Sequence, residues 1–89
     1  MTDPTPKRAV HITWEDAESY GGPEWVDPTE AAAFARHKPP IMETVGFLIY
    51  SCPGWVSVTA TLGSGETGSV DRIPRNMIVK ITELEPRDE

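Results

Sequence analysis

Four aromatic side chains and two arginines are the residues of this 89-residue chain best suited to binding a ligand. They are Trp14, Tyr20, Trp25, Trp55, Arg72 and Arg75. Flat rings offer surfaces on which a nucleobase stacks, and guanidinium forks match the geometry of phosphate. Together they predict a site for a small anionic, nucleotide-like ligand. The alternative is that the arginines pair with surface carboxylates and that the rings belong to the core or to an interface.

Catalytic and metal chemistry have little support in the sequence. His11, Asp16 and Glu18 could cluster as acid and base, but nothing in their spacing holds them together. The single cysteine, Cys52, lies in a turn and has no predicted base beside it. Short-spaced Cys and His sets for zinc and the loop spacing of a calcium site are both missing. We therefore predict no enzyme, no catalytic residue, no bound metal and no cofactor.

The charge balance restricts the class of partner. Lys and Arg number 8 against 14 Asp and Glu, which gives a formal net charge of −6 and argues against bulk nucleic-acid binding. One stretch collects the acidic residues Glu15, Asp16, Glu18, Glu24, Asp27 and Glu30. It is either a solvated loop and helix start or an acidic face for a basic protein surface. No apolar run reaches the ~20 residues of a membrane span, so we expect a cytoplasmic protein without membrane contact.

Periodicity and turn residues predict the first half of the fold. Residues 8–14 alternate as a strand with Val10, Ile12 and Trp14 on one face. Asp27 caps a short helix that ends before Pro39-Pro40 and must pack on a sheet to be stable. Residues 41–51 are apolar on both faces, so they predict the central and most buried strand. Gly46 within that strand predicts a bulge or a close crossing.

The second half reads as three further strands. Residues 55–62 form a hairpin with 41–51, with Val56 and Val58 facing inwards and Ser57 and Thr59 outwards. A glycine-rich hairpin tip covers 63–69, and strands at 70–73 and 77–84 flank a tight turn at Pro74-Arg75-Asn76.

These elements predict a mostly β (α+β) single domain over 1–89, with flexible tails at 1–7 and 85–89. The expected architecture is a small five-stranded bent antiparallel sheet or an SH3-like barrel, with one short helix between strands 1 and 2. A chain this short has a thin core, which favours a homo-oligomer.

The segment Arg72-Ile73-Pro74-Arg75-Asn76-Met77-Ile78-Val79 resembles the end of an SH3-like barrel. In that fold a single 3₁₀ turn separates strands four and five, and Sm-like barrels share a similar bent layout. Residues 15–38 are not part of a minimal SH3 barrel, and the acidic ligand loop of peptide-binding SH3 domains has no match here. The resemblance therefore implies the barrel layout without recognition of proline-rich peptides.

A broader resemblance spans most of the chain. It is carried by Ile12-Thr13-Trp14-Glu15-Asp16-Ala17, Gly21-Gly22, Glu43-Thr44-Val45-Gly46-Phe47-Leu48-Ile49 and Asp71-Arg72-Ile73-Pro74-Arg75. These strings resemble short accessory proteins of tailed phages. The resemblance implies a non-enzymatic binding protein that acts in the host cytoplasm against host defence, by sequestering a small nucleotide signal. The alternatives are inhibition of a host protein through the acidic face, or a structural or assembly role.

Overall fold

The computed structural model describes residues 8–85 as one bent, unclosed sheet of five strands. The strands are β1 (Ala9–Glu15), β2 (Ile41–Ser51), β3 (Trp55–Thr59), β4 (Val70–Pro74) and β5 (Ile78–Leu84). One helix, α1 (Pro28–Ala35), lies between β1 and β2, and a 3₁₀ turn (Arg75–Met77) separates β4 from β5. The order across the sheet is β4-β3-β2-β1-β5, and all neighbours are antiparallel. The predicted fold class is confirmed, whereas the predicted tails lie outside the described residues except for Glu85.

The core lies on one face of the bent sheet. Residues directly opposite each other in an antiparallel ladder project to the same side, so alternate positions on all strands share this face. Its buried members are Val10, Ile12, Val56, Val58 and Ile73, with Trp14, Leu48 and Ile78 packed against them. The predicted inward faces of β1 and β3 are therefore confirmed.

The central strand departs from the prediction in its burial. β2 does lie in the middle of the sheet, but Val45 is 60% exposed, and Ile49 and Tyr50 are also exposed. The prediction that β2 is the most buried strand is wrong because, among residues 8–85, no second layer covers its outer face. The predicted close crossing at Gly46 is confirmed, since a Cβ there would lie 2.9 Å from the Thr59 carbonyl oxygen.

Strand β3 is buried on both faces, although Ser57 and Thr59 were expected to face outwards. Ser57 is 5% exposed and Thr59 is 1% exposed. The Thr59 hydroxyl donates to the Ser69 carbonyl oxygen at 2.8 Å, so the β3–β4 connection folds over it. Ser57 pairs with Tyr50 on one side and with Arg72 on the other. The strand ends at Thr59, before the predicted boundary at residue 62, because the chain turns there to make these contacts.

Helix α1 begins as predicted but does not pack on the sheet. The Asp27 carboxylate accepts from the Thr29 and Glu30 backbone amides at 3.0 and 3.3 Å, which is an N-cap. No residue of α1 is buried. The prediction of sheet packing is wrong. Phe34 is the only large apolar side chain of the helix, and it stacks on the ring of Tyr20, which lies outside the sheet.

Candidate binding surface

Residues 16–40 form an arm that leaves the sheet between β1 and β2. The arm closes at its base, where the Asp16 amide donates to the Pro40 carbonyl oxygen at 3.1 Å and so extends the β1–β2 ladder by one bond. Within the arm, only Asp16, Val26, Phe34 and Pro40 are even half-buried. The arm is therefore a surface element that the sheet supports at one end.

An aromatic stack holds the arm together internally. The rings of Tyr20 and Phe34 lie 5.1 Å apart between centroids, with planes inclined by 22°. The Tyr20 hydroxyl donates to the Glu30 carboxylate at 3.2 Å, and this hydrogen bond, together with the negative charge, raises the pKa of Tyr20 above its ordinary value of about 10. Gly21 adopts φ +87°, and a Cβ there would lie 2.5 Å from a Val26 methyl group. Tyr20 is thus a structural residue of the arm.

Trp25 is the most exposed large hydrophobic side chain of the described residues, at 102% relative exposure. It stands in a strongly acidic setting, because residues 15–30 hold six carboxylates and no Lys or Arg. The other 73 residues balance eight acidic against eight basic side chains, so the whole net charge of −6 lies in this stretch. An exposed indole within a chain segment of one sign of charge is suited to a complementary partner.

Trp14 and Arg72 share a cleft of about 440 Å³ on the core side of the bent sheet. Its other lining residues are Thr44, Val70, Asp71 and Ile73. The Trp14 indole N–H donates to the Thr44 hydroxyl at 3.0 Å, which fixes the ring. Arg72 pairs with Ser57 across the ladder and so alternates to the face opposite Ile73, while Asp71 shares the face of Ile73. The carboxylate therefore projects on the Trp14 side of β4, and the guanidinium projects away from it.

Trp55 and Arg75 lie together at the opposite end of the sheet. Trp55 is 41% exposed and tilts against Tyr50, with ring centroids 6.1 Å apart. The Arg75 guanidinium donates to the Cys52 carbonyl oxygen at 3.0 Å and to the Ser51 hydroxyl at 2.6 Å. These bonds tie the 3₁₀ turn to the β2–β3 turn, so Arg75 serves local structure.

The six predicted ligand residues thus fall at three separate places. Strand β2 has 11 residues and runs from the arm to the Trp55 end, a length of about 33 Å at ~3.3 Å per residue. A single chain therefore does not bring Trp25 and Arg75 to one site. Sequence reasoning missed Phe34 as the partner of Tyr20 and Tyr50 as the partner of Trp55, because both pairs join different elements and leave no spacing signal.

The comparisons with known proteins return no relative for this chain. No protein-family model, curated protein or solved structure matches it. Within residues 8–85, no three His, Cys, Asp or Glu side chains are grouped closely enough to hold a metal ion. None of the helices in that range has the length and apolar character needed to cross a membrane.

Proposed function

We propose that this protein is a non-enzymatic binding module whose arm, residues 16–40, engages a basic surface of another protein. The observation that carries the proposal is the fully exposed Trp25 within the stretch that holds the entire net charge. Of the predicted functions, this one needs no side chains from separate ends of the sheet.

The physical argument combines charge and apolar area. Tryptophan is enriched among the residues that dominate binding energy, because its large ring fills a desolvated pocket on the partner. The six carboxylates of residues 15–30 would steer a basic partner and speed association at low salt. Since the helix buries nothing and Phe34 is only half-buried, the arm offers apolar area in addition to the indole.

The resemblance to tailed-phage accessory proteins supports a host partner. A small acidic protein that covers a basic surface of a host defence protein would block access of that surface to its own ligands. Such a protein would act in the host cytoplasm, without chemistry of its own.

A matched pair of tryptophan substitutions tests the proposal. Native protein, Trp25→Ala and Trp55→Ala are used to capture partners from host extract, and the affinity for the captured protein is then measured by calorimetry at 50 and 300 mM salt. We expect Trp25→Ala to weaken binding by about 30-fold or more, as for a hot-spot residue worth ~2 kcal/mol. Trp55→Ala should bind like native protein, and salt should weaken native binding. Equal capture and affinity for native protein and Trp25→Ala would refute the proposal.

A nucleotide-like ligand is the second candidate function. It is favoured by the cleft that Trp14 and Arg72 line. The cleft provides one fixed indole, and the Arg72 side chain would turn around the edge strand β4 to bring its guanidinium to a bound phosphate. Titration with a panel of cyclic and linear nucleotides should give heat with native protein and none with Arg72→Ala, while Arg36→Ala in the arm should behave as native. Absence of heat with the native protein rejects this function and leaves the protein-binding proposal standing.

A further inference from the structure

The two edges of the sheet differ in how well they are protected. The β4 edge, Val70–Pro74, holds two charged residues and a proline, which has no N–H to donate to another strand. The β5 edge, Ile78–Leu84, has seven residues, and six of them are exposed. Three apolar residues of β5 are solvent-exposed: Val79 at 59%, Leu84 at 39% and Ile81 at 36%.

The outer edge of β5 presents a row of backbone donors and acceptors. Among residues 8–85, β1 is the only strand paired with β5, so the far side of β5 has no ladder. Natural sheets protect such edges with charge, proline, bulges or a covering element. Here the one bulge lies near the start of the strand, at Val79, because Thr13 pairs with Lys80 and Trp14 with Ile78. Lys80–Leu84 is therefore a regular five-residue edge that fits another strand.

Charge restricts how that edge pairs with a copy of itself. In an antiparallel pair with two-fold symmetry, the axis passes beside one residue that lies opposite its own copy. An axis at Lys80 or at Glu83 would set like charges against each other, which is unfavourable. An axis at Thr82 pairs the whole regular segment: Thr82 faces Thr82, Ile81 faces Glu83, and the stem of Lys80 faces Leu84. An axis at Ile81 also avoids like charges, but it draws the bulged Val79 into the ladder.

We propose that two copies of this chain pair antiparallel through their β5 edges, with the two-fold axis at Thr82, to form one continuous ten-stranded sheet. The Thr82–Thr82 contact is a favourable cross-strand pair, and the ladder satisfies the backbone groups of both edges. This inference stands apart from the partner of the arm. Its consequence is that each dimer carries two arms, so that a partner with two basic sites is bound with avidity.

Charge complementation at position 82 tests the proposed axis. Sedimentation equilibrium should give the native protein a mass near twice the 9.8 kDa of one chain. Thr82→Lys and Thr82→Glu each place like charges across the axis, so each should raise the dimer Kd by about fivefold or more. An equimolar mixture of the two variants should recover dimers with native or tighter affinity. Thr67→Lys, a matched change in the exposed β3–β4 connection, should leave the dimer Kd within about twofold of native.

Disulfide trapping provides a test that does not depend on affinity. In a Cys52→Ser background the chain has no thiol, so Thr82→Cys introduces a single cysteine. Residues opposite each other in a ladder have Cβ atoms ~4.5–5.5 Å apart, close enough for mild oxidation to link them. Thr82→Cys should form covalent dimers, and Thr67→Cys should not. A native chain that stays at 9.8 kDa up to millimolar concentration, or a dimer unaffected by Thr82→Lys and not trapped by Thr82→Cys, would overturn the proposal.

Discussion

Adding one methyl group at Gly46 should destabilise the sheet, whereas the same change at Gly22 should not. A Cβ at Gly46 would lie 2.9 Å from the Thr59 carbonyl oxygen, 3.3 Å from the Thr59 carbonyl carbon and 3.3 Å from the Val58 Cβ. Two of these three atoms belong to the backbone of β3, which cannot rotate away. A Cβ at Gly22 would have no neighbour within 4 Å. The two positions therefore isolate the steric cost of a methyl group from its effect on the unfolded chain.

The expected magnitude follows from two opposing effects. Overpacking a well-packed site costs about 1–3 kcal/mol. Replacing glycine by alanine restricts the unfolded chain, which stabilises the fold by about 0.4–1 kcal/mol where the backbone accepts alanine. Gly46→Ala should therefore lower the free energy of unfolding by about 1–2 kcal/mol. Gly22→Ala should leave it unchanged or raise it by up to about 1 kcal/mol.

Urea unfolding followed by tryptophan fluorescence measures both variants. For a domain this small, a slope of ~1 kcal/mol/M converts the expected loss at Gly46 into a midpoint lower by about 1–2 M, with the slope itself unchanged. If Gly46→Ala unfolds at the same or a higher urea concentration than Gly22→Ala, then β2 and β3 do not approach as closely as described. The steric argument for glycine at position 46 would then be refuted.

Four further substitutions test the arm, the core and the Arg75 turn. The hydrogen bond to Glu30, and then the charge of Glu30, raise the Tyr20 pKa; Glu30→Gln weakens the first and removes the second. Absorbance titration should therefore show this phenol ionising at lower pH than in native protein. The stability linked to its protonated form is present below about pH 10 and lost as pH rises past its raised pKa. Ile12→Ala should cost about 2–5 kcal/mol in urea unfolding, but Phe34→Ala only about 0.5–1.5 kcal/mol, because Phe34 loses little beyond its aromatic stack. Arg75→Ala should lower the thermal midpoint by about 4–8 °C, since its two hydrogen bonds are together worth ~1 kcal/mol.

Local patterns predicted the elements of this fold because local physics determines them. The alternation of Val10 and Ile12 fixed the inner face of β1, and the Asp27 side chain marked the first turn of α1. Proline at position 74 marked the break between β4 and β5, where the 3₁₀ turn lies. Each of these signals depends on neighbours within a few residues. Most element boundaries therefore followed closely from the sequence, but β3 ends three residues before its predicted end at residue 62.

Burial was predicted less well because it depends on what covers each face. Val45 and Ile49 were predicted to be core residues because both faces of β2 are apolar. However, nothing among the described residues packs over the face of β2 that carries them. Thr59 read as a surface residue, and the Ser69 carbonyl oxygen, ten positions away, buries it. The candidate site was predicted poorly for the same reason. Residue type suggested that Trp25 and Arg75 could bind one ligand, but the sequence did not show how far apart they lie.

The separation of charge from core explains why the arm is the part of this protein best suited to recognition. An eight-residue helix lies well below the ~12–15 residues at which isolated helices become marginally stable. The helix therefore depends on three other contacts: its Asp27 cap, the Tyr20–Phe34 stack and the hydrogen bond at the base of the arm. All three lie at the protein surface. The five strands, by contrast, hold all the buried apolar residues found among positions 8–85, and their net charge is only −2, from four carboxylates and two basic side chains. A partner that buries Trp25 and covers Phe34 would supply the packing that the arm lacks, so binding energy and ordering of the arm would come from the same contacts.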